Sequence, residues 1–394
     1  MMQISPETQL FIREHSSDDV RVLALQAKKY PDIDMPTAIT QIAGRKVAAE
    51  KIPSWWEIEK IWYPKHLSLE QCSSEITARY KARLLQGDSL TDLTGGFGID
   101  CSFLATGFKS ATYVERQEEL CEIAAHNFPV LNLNHINIKN ENGVTYLQAM
   151  SPVDCLFLDP ARRNEHGGKT VAISDCEPNV AELEELLLQK ANRVMIKLSP
   201  MLDLSLALKE LKQTQEVHIL SVNNECKELL ILLGQTSPTE ISIHCVNLST
   251  KGTQEEQHFV FTREQEQCSE CTYTDSLETY LYEPNASLLK AGAFRSIAAA
   301  YPVRKLHPNS HLYTSDTFIE NFPGRIFRIV NQCSFNKKEV KENLADLKKA
   351  NVTVRNFPAT VAELRKRIHL AEGGDTYLFA STLNLSLIHI SEPT

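Results

Sequence analysis

The chain has 394 residues and a net charge of −9, with 42% hydrophobic and 23% charged residues, room for two or three domains that each hold a core. No run of about 18 apolar residues occurs, so no membrane-spanning helix is expected. The opening residues lack the basic start and apolar core of an export signal. A cytoplasmic location is expected, and the ten cysteines are read as free thiols in a reducing compartment.

Residues 1–70 read as an N-terminal helical region. Asp18–Lys28 and Met35–Lys51 carry apolar residues at helical spacing, with Pro36 in a first turn and Pro53 just past an end. Trp55, Trp56 and Trp62 follow. Such a cluster stacks on bases or packs a small domain onto its neighbour, and packing is the favoured reading. The polar turn Gln71-Cys72-Ser73-Ser74 then leads into a helix, where Ser73 or Ser74 can serve as a cap.

The next stretch organises the chain. Ser89–Leu93 is a strand, Thr94-Gly95-Gly96-Phe97-Gly98 a glycine loop, Ile99–Thr106 a helix, and Ala111–Val114 a second strand ending in Glu115. Glycines suit a loop whose backbone lies against a ligand. An acid about 20 residues further on can take both hydroxyls of a ribose. The unit therefore offers a seat for an adenosine-containing cofactor. The dinucleotide fingerprint G-x-G-x-x-G/A fails, since Cys101 stands at its third glycine counted from Gly96, and the phosphate loop G-x-x-x-x-G-K-[ST] is absent. Asp92 before the loop would repel a pyrophosphate and suits a cationic ligand end.

A helix from Glu118 and a third strand, His135–Asn140, precede Glu141-Asn142-Gly143. Pro152–Leu158 is an unbroken apolar strand, as in the interior of a parallel sheet, and it ends in Asp159-Pro160-Ala161-Arg162-Arg163-Asn164. Ligands sit at the carboxyl ends of such strands, so Asp159 is expected in the same crevice as the glycine loop. The alternative for Asp159-Pro160 is a strand-ending turn. Asn192–Leu198, Val217–Val222 and Leu229–Leu233 complete seven strands, and Ile241–Leu248 with His258–Thr262 suggests an added hairpin. Cys268 and Cys271 form one C-x-x-C without a second ligand pair, so no metal is expected.

Residues 276–323 form a small linking unit. Asn285, Ser287 and Lys290 there meet substrate or simply start a helix. Residues 324–385 alternate strand and helix, β-α-β-α-β. Gly324–Leu370 carries eleven Lys or Arg against four acids, while the whole chain is acidic. Lys348, Lys349, Arg365, Lys366 and Arg367 are expected on its two helices, facing one polyanion or forming a solvated surface. Residues 386–394, SLIHISEPT, fit none of this pattern and look like vector-derived sequence outside the fold.

EQCSSE, DLTGGFGID, LDPARRN and NQCSFNKKEV together resemble, over nearly the full chain, the class I S-adenosylmethionine-dependent methyltransferases with a C-terminal THUMP-like domain. The resemblance implies an α/β fold. Its parts are a Rossmann-like seven-stranded methyltransferase domain over residues 71–275, a ferredoxin-like unit over 276–323 and a THUMP-like module over 324–385. It implies S-adenosyl-L-methionine as cofactor, held by Asp92, Thr94, Gly95, Gly96, Gly98 and the ribose-binding acid Glu115, with Arg116 beside it. Gln71, Ser73 and Ser74 would cover the methionine end, and Asn142 with Gly143 would meet the adenine. Asp159 and Pro160 resemble the D/N-P-P-[YFW] motif of amino methyltransferases, with Ala161 for the second proline and Arg162 for the aromatic. Asp159, Pro160 and Arg162 would be the catalytic residues, Asp159 would also line the cofactor site, and Arg162 and Arg163 would meet substrate. The expected activity is methyl transfer to RNA, on a base amino group, with Asp159 positioning the acceptor. The alternatives are a protein or small-molecule methyltransferase, and a non-catalytic RNA-binding protein that keeps an adenosine site.

Overall fold

Strands that are apolar on both faces need cover on both faces. In the computed structural model, which describes residues 4–162, 172–236, 238–251, 256–345, 347–382 and 386–393, those strands form the middle of a large sheet. The chain divides into two compact units, the first of residues 1–216 and 229–239, the second of 217–228 and 240–394.

The first unit carries β1 (Ser89–Asp92), β2 (Ser110–Glu115), β3 (Ile136–Asn140), β4 (Val153–Leu158) and β5 (Ala191–Leu198). After β6 (Thr214–Val222) comes β7 (Glu225–Gly234). The order in the sheet is β3-β2-β1-β4-β5-β7. The first five are parallel, and β7 runs antiparallel to β5. Leu156, Phe157, Leu158, Val194, Met195 and Ile196 are at most 1% exposed. The sheet is the Rossmann-like α/β arrangement expected. Its order reverses between β1 and β4, and a crevice at the carboxyl ends of those two strands is the ligand position of such sheets.

Helices Pro6–Glu14, Val20–Leu25, Met35–Lys51, Pro53–Trp56 and His66–Gln71 build the N-terminal region. Its tryptophans pack. Trp55 is 2% exposed with its ring edge-on to Phe97 at 5.2 Å, and Trp62 stacks on His126 at 3.7 Å. Trp56 remains exposed, with the Arg45 guanidinium 5.6 Å from its ring.

In the second unit β8 (Ser242–Leu248) and β9 (Gln257–Thr262) form the expected antiparallel hairpin. A second sheet holds β10 (Tyr280–Pro284), β11 (Arg304–Lys305), β12 (Tyr313–Ser315), β13 (Gly324–Ser334), β14 (Asn351–Arg355), β15 (Thr376–Ser381) and β16 (Ser386–Pro393), in the order β11-β12-β10-β13-β16-β15-β14. Asn285 caps the helix Ala286–Ala291 and accepts from the buried Ser287 hydroxyl at 2.6 Å, which is the helix-start reading of that stretch.

Two expectations are corrected. Ser386–Pro393 does not stand outside the fold. It is β16, paired antiparallel with both β13 and β15, and a ladder needs only the backbone N–H and C=O that any sequence supplies. The first helix of the C-terminal module, Lys337–Asn343, ends before Lys348 and Lys349. Leu344 and Ala350 turn inward to pack with Leu370 and Leu378, which ends the helical path. Lys348 and Lys349 therefore lie on a connection, not on a helix.

Candidate active site

The glycine loop leaves β1 between two carboxylates. Asp92 is fully buried. Its Oδ1 accepts from the Thr94 N–H at 2.9 Å, while Oδ2 meets no donor among the described residues. Burial lifts its carboxyl well above the ordinary range against the Thr94 bond, and Asp100, Asp159 and Glu115 add repulsion. On the other side Glu115, 8% exposed, accepts from the Gly96 N–H through Oε2 and from the Gln117 N–H through Oε1, both at 2.8 Å. The acid at the end of β2 thus ties down the loop that follows β1.

The glycines divide by cause. A Cβ on Gly95 would lie 2.2 Å from the Tyr113 ring, and one on Gly143 2.1 Å from the Leu93 carbonyl oxygen, so packing within the protein demands both. Gly96 has φ +54°, and a Cβ there would meet the Thr94 carbonyl oxygen only at 3.8 Å. It is the glycine whose bare face suits a ligand. Phe97 points away from that face, 4% exposed, against Trp55 and Tyr63.

Asp159 follows β4, and its N–H donates to Thr94 Oγ1 at 2.6 Å. One hydrogen bond thus joins the glycine loop to the D-P-A-R segment, which the sequence expected in one crevice. The Asp159 side chain is 36% exposed, and its Oδ2 accepts from Lys197 Nζ at 2.5 Å. Burial raises its carboxyl above the ordinary value, and Lys197 opposes that rise.

Behind Asp159 stands an ionic network that the sequence reading did not include. Lys197 Nζ also lies 3.4 Å from Asp100 Oδ2, and Lys81, fully buried, lies 2.9 Å from Asp100 Oδ1. Ser73 donates to Asp100 at 2.7 Å and accepts from Lys81 at 2.8 Å. Against the upward pull of burial, the two lysines hold Asp100 below the ordinary carboxylate range. A lysine inside the apolar run Val194–Leu198 was the available signal, because lysine is almost never buried unless paired.

The other expected residues have the following surroundings. Gln71 is exposed at the end of its helix. Ser74 holds the N-cap position of Glu75–Ala82 without a side-chain cap bond, and its hydroxyl meets Thr77 Oγ1 at 3.2 Å. Arg116 is exposed and pairs with Glu177 at 3.3 Å. The Asn142 carbonyl oxygen, expected to take an adenine amine, caps Gly143–Ala149 by accepting from Val144 and Thr145. Pro160 is buried. Ala161–Arg162 pairs with Cys176–Glu177 in a short ladder. Arg163 and Asn164 lie outside the described residues.

In the second unit Lys348, Lys349, Lys366 and Arg367 are exposed. Arg365 turns inward, donating to the Ala350 carbonyl at 3.3 Å, and the Arg367 guanidinium lies 5.3 Å from the Phe335 ring. Consecutive residues of a helix point about 100° apart, so Arg365, Lys366 and Arg367 do not form the single face expected. Cys268 and Cys271 line a separate cavity of about 390 Å³ with Tyr273 and Arg295. Burial pushes the Cys271 thiol up.

A crystal structure from Porphyromonas gingivalis W83, of a protein assigned as a methyltransferase, is 33% identical to this chain, covers 100% of both chains and superposes with a TM-score of 0.86. Family models match residues 280–323 as a ferredoxin-like domain and 324–390 as THUMP domain-like. The chain belongs to the class I S-adenosylmethionine-dependent methyltransferases with a C-terminal THUMP-like domain. No curated protein matches it. A Streptococcus mutans protein assigned as a methyltransferase, in complex with S-adenosylhomocysteine, is 13% identical over 41% of this chain and 96% of its own, with a TM-score of 0.30. A modification subunit assigned to a type I restriction enzyme of Vibrio vulnificus YJ016 is 13% identical over 51% of this chain and 56% of its own, with a TM-score of 0.36. The residues present fit S-adenosylmethionine: Asp92 Oδ2, buried and without a donor among the described residues, suits an ammonium, and the uncrowded face of Gly96 suits a ligand against the backbone.

Proposed function

We propose that the protein transfers a methyl group from S-adenosyl-L-methionine to an RNA base amino group in the cytoplasm. The observation that carries this reading is the Thr94–Asp159 hydrogen bond, which sets a partly open carboxylate beside the glycine loop. Asp92 would hold the ammonium, Gly96 the face of the cofactor and Glu115 the ribose. Ser73 backs this region through Asp100.

The cofactor supplies an electrophilic methyl group on a sulfonium. The chain's task is to present the acceptor in line and keep water out. An exocyclic amine is a poor nucleophile because its lone pair is delocalised into the ring. Asp159 and the Pro160 carbonyl would accept the two amine hydrogens and orient the lone pair, and Asp159 would receive the proton that the amine gives up. Lys348, Lys349 and Lys366 supply exposed positive charge for a phosphate backbone.

A second reading has an observation of its own. Arg325 and Arg355 both donate to the buried Glu283, and Arg365 bonds within its module. Part of the basic excess therefore braces the fold, which favours a protein or small-molecule acceptor. Mass spectrometry of modified nucleosides in a gene-deletion strain against its parent decides between them. Loss of one methylated nucleoside supports RNA, and an unchanged nucleoside profile with label transferred to protein sinks it. Asp159→Ala should cut turnover by about 10²-fold or more while cofactor affinity stays level, the pattern of an interaction made in the transition state.

A further inference from the structure

Lys81, Asp100, Lys197 and Asp159 alternate in charge along one connected path. Lys81 is fully buried, Asp100 and Lys197 are each 8% exposed, and only the last carboxylate opens outward, with a side chain 36% exposed. The path is anchored at four places in the fold. Lys81 belongs to the helix Glu75–Ala82, Asp100 to the first turn of the helix after the glycine loop, Lys197 to β5, and Asp159 follows β4. Leu158 pairs with Ile196 across β4 and β5, so Asp159 and Lys197 are the next residues of two adjacent parallel strands. Their meeting is set by strand register and not by a loop.

A brace for the fold would be complete with Lys81 and Asp100. Lys197 goes further and places its ammonium between Asp100 and one oxygen of Asp159. We propose that Lys197 is a positioning residue that holds Asp159 by Oδ2 and turns its other oxygen toward the methyl acceptor. The proposal rests on the reading of Asp159 given above. A carboxylate free to rotate would spread its acceptor directions over the crevice, whereas one pinned at Oδ2 offers a fixed line.

The charge of Lys197 has a second effect. Asp159 faces Lys197 from β5, Asp100 and Lys81 from the two helices, and Asp92 from the end of β1. Burial and the two neighbouring acids favour its protonated form. Lys197, nearest, and Lys81 favour the carboxylate. Removing Lys197 leaves Asp159 protonated to a higher pH, so an activity that needs the carboxylate loses its acid side first.

The test uses Lys197→Met and Lys197→Arg in the full chain. Titration of Asp159 is followed in cofactor-free protein by carboxyl ¹³C NMR, with Asp159→Asn assigning the signal. Methyl transfer to total RNA from the deletion strain is followed against pH. In Lys197→Met the Asp159 titration and the acid limb of turnover should move up together by about 1–3 pH units, and raising the pH should restore turnover. Lys197→Arg should keep the parental limb at lower turnover. A folded Lys197→Met protein with parental titration and parental limb overturns the proposal. If Lys197→Met does not fold, an Arg variant whose limb is displaced overturns it and one with the parental limb supports it. Full turnover in Asp159→Ala is a separate result: it removes the reading of the site, whatever Lys197 does.

Discussion

Glu115→Ala should loosen the glycine loop and weaken the grip on the cofactor together. Both carboxylate oxygens accept backbone N–H groups at 2.8 Å, one from Gly96 in the glycine loop and one from Gln117 in the turn after β2. Hydrogen bonds to a charged group contribute about 1.5–3 kcal/mol each when the freed partner stays dry. Gly96 is half-buried, so water reaches its freed N–H, and the unfolding free energy of the cofactor-free protein should fall by only about 1–2 kcal/mol. Cofactor affinity should fall further, because the ribose loses its acceptor and the loop its tether. A loss of about 1.5–3 kcal/mol is a rise in Kd of roughly 10- to 150-fold. Calorimetric titration of purified protein with S-adenosylmethionine reads the second quantity, and urea unfolding without cofactor reads the first. Parental Kd in a folded Glu115→Ala protein would refute the placement of the cofactor against β2.

Asp92 gives a pH-dependent test. Its folded-state pKa is raised, so it stays protonated after an unfolded-state aspartate has ionised, and it makes the free protein less stable as pH rises from the unfolded toward the folded value. Asp92→Asn should therefore stabilise the cofactor-free protein at neutral pH. An ammonium bound at Asp92 would favour its ionised form, so cofactor binding below the free-state pKa should release a proton, seen as a dependence of the calorimetric enthalpy on the buffer. No such dependence in the parent protein would place the ammonium elsewhere. Trp55→Ala should cost about 3–5 kcal/mol in urea unfolding, since its ring is 2% exposed against Phe97; a loss under about 1 kcal/mol would mean the contact is loose. Neutralising Lys348, Lys349 and Lys366 together should flatten the salt dependence of RNA binding by about 2 in slope for single strands. Arg365→Ala should instead lower module stability, and a change in salt slope equal to that of a lysine variant would contradict its inward geometry.

The strands were legible because burial on both faces leaves unbroken apolar runs, such as Cys155–Leu158 and Leu229–Leu233. The glycine loop and Glu115 were legible because a local turn and a fixed spacing encode them. The network behind Asp159 was not, because Lys81, Asp100 and Lys197 come from two helices and a strand in three separated segments and meet only in the folded chain. Charge composition misled in the C-terminal module. It counted Arg365 with Lys366 and could not see that one turns to Ala350 while the other stays in solvent. At Asn142 one amide oxygen that suits adenine also suits a helix end, and it caps Gly143–Ala149.

Phe97 has a bearing on how the chain can be divided. It is a glycine-loop residue, yet its ring meets Trp55 and Tyr63 and belongs to one buried cluster with Ile52 and Leu69 of the N-terminal region. The two glycines beside it are left-handed, and the ring is what anchors their turn to a solid neighbour. A fragment beginning at Gln71 would keep every residue proposed to hold the cofactor and still leave that anchor in water. The helical region is thus half of a mould in which the loop is cast, and swapping it for another protein's leader segment should spoil the loop even where the graft itself folds.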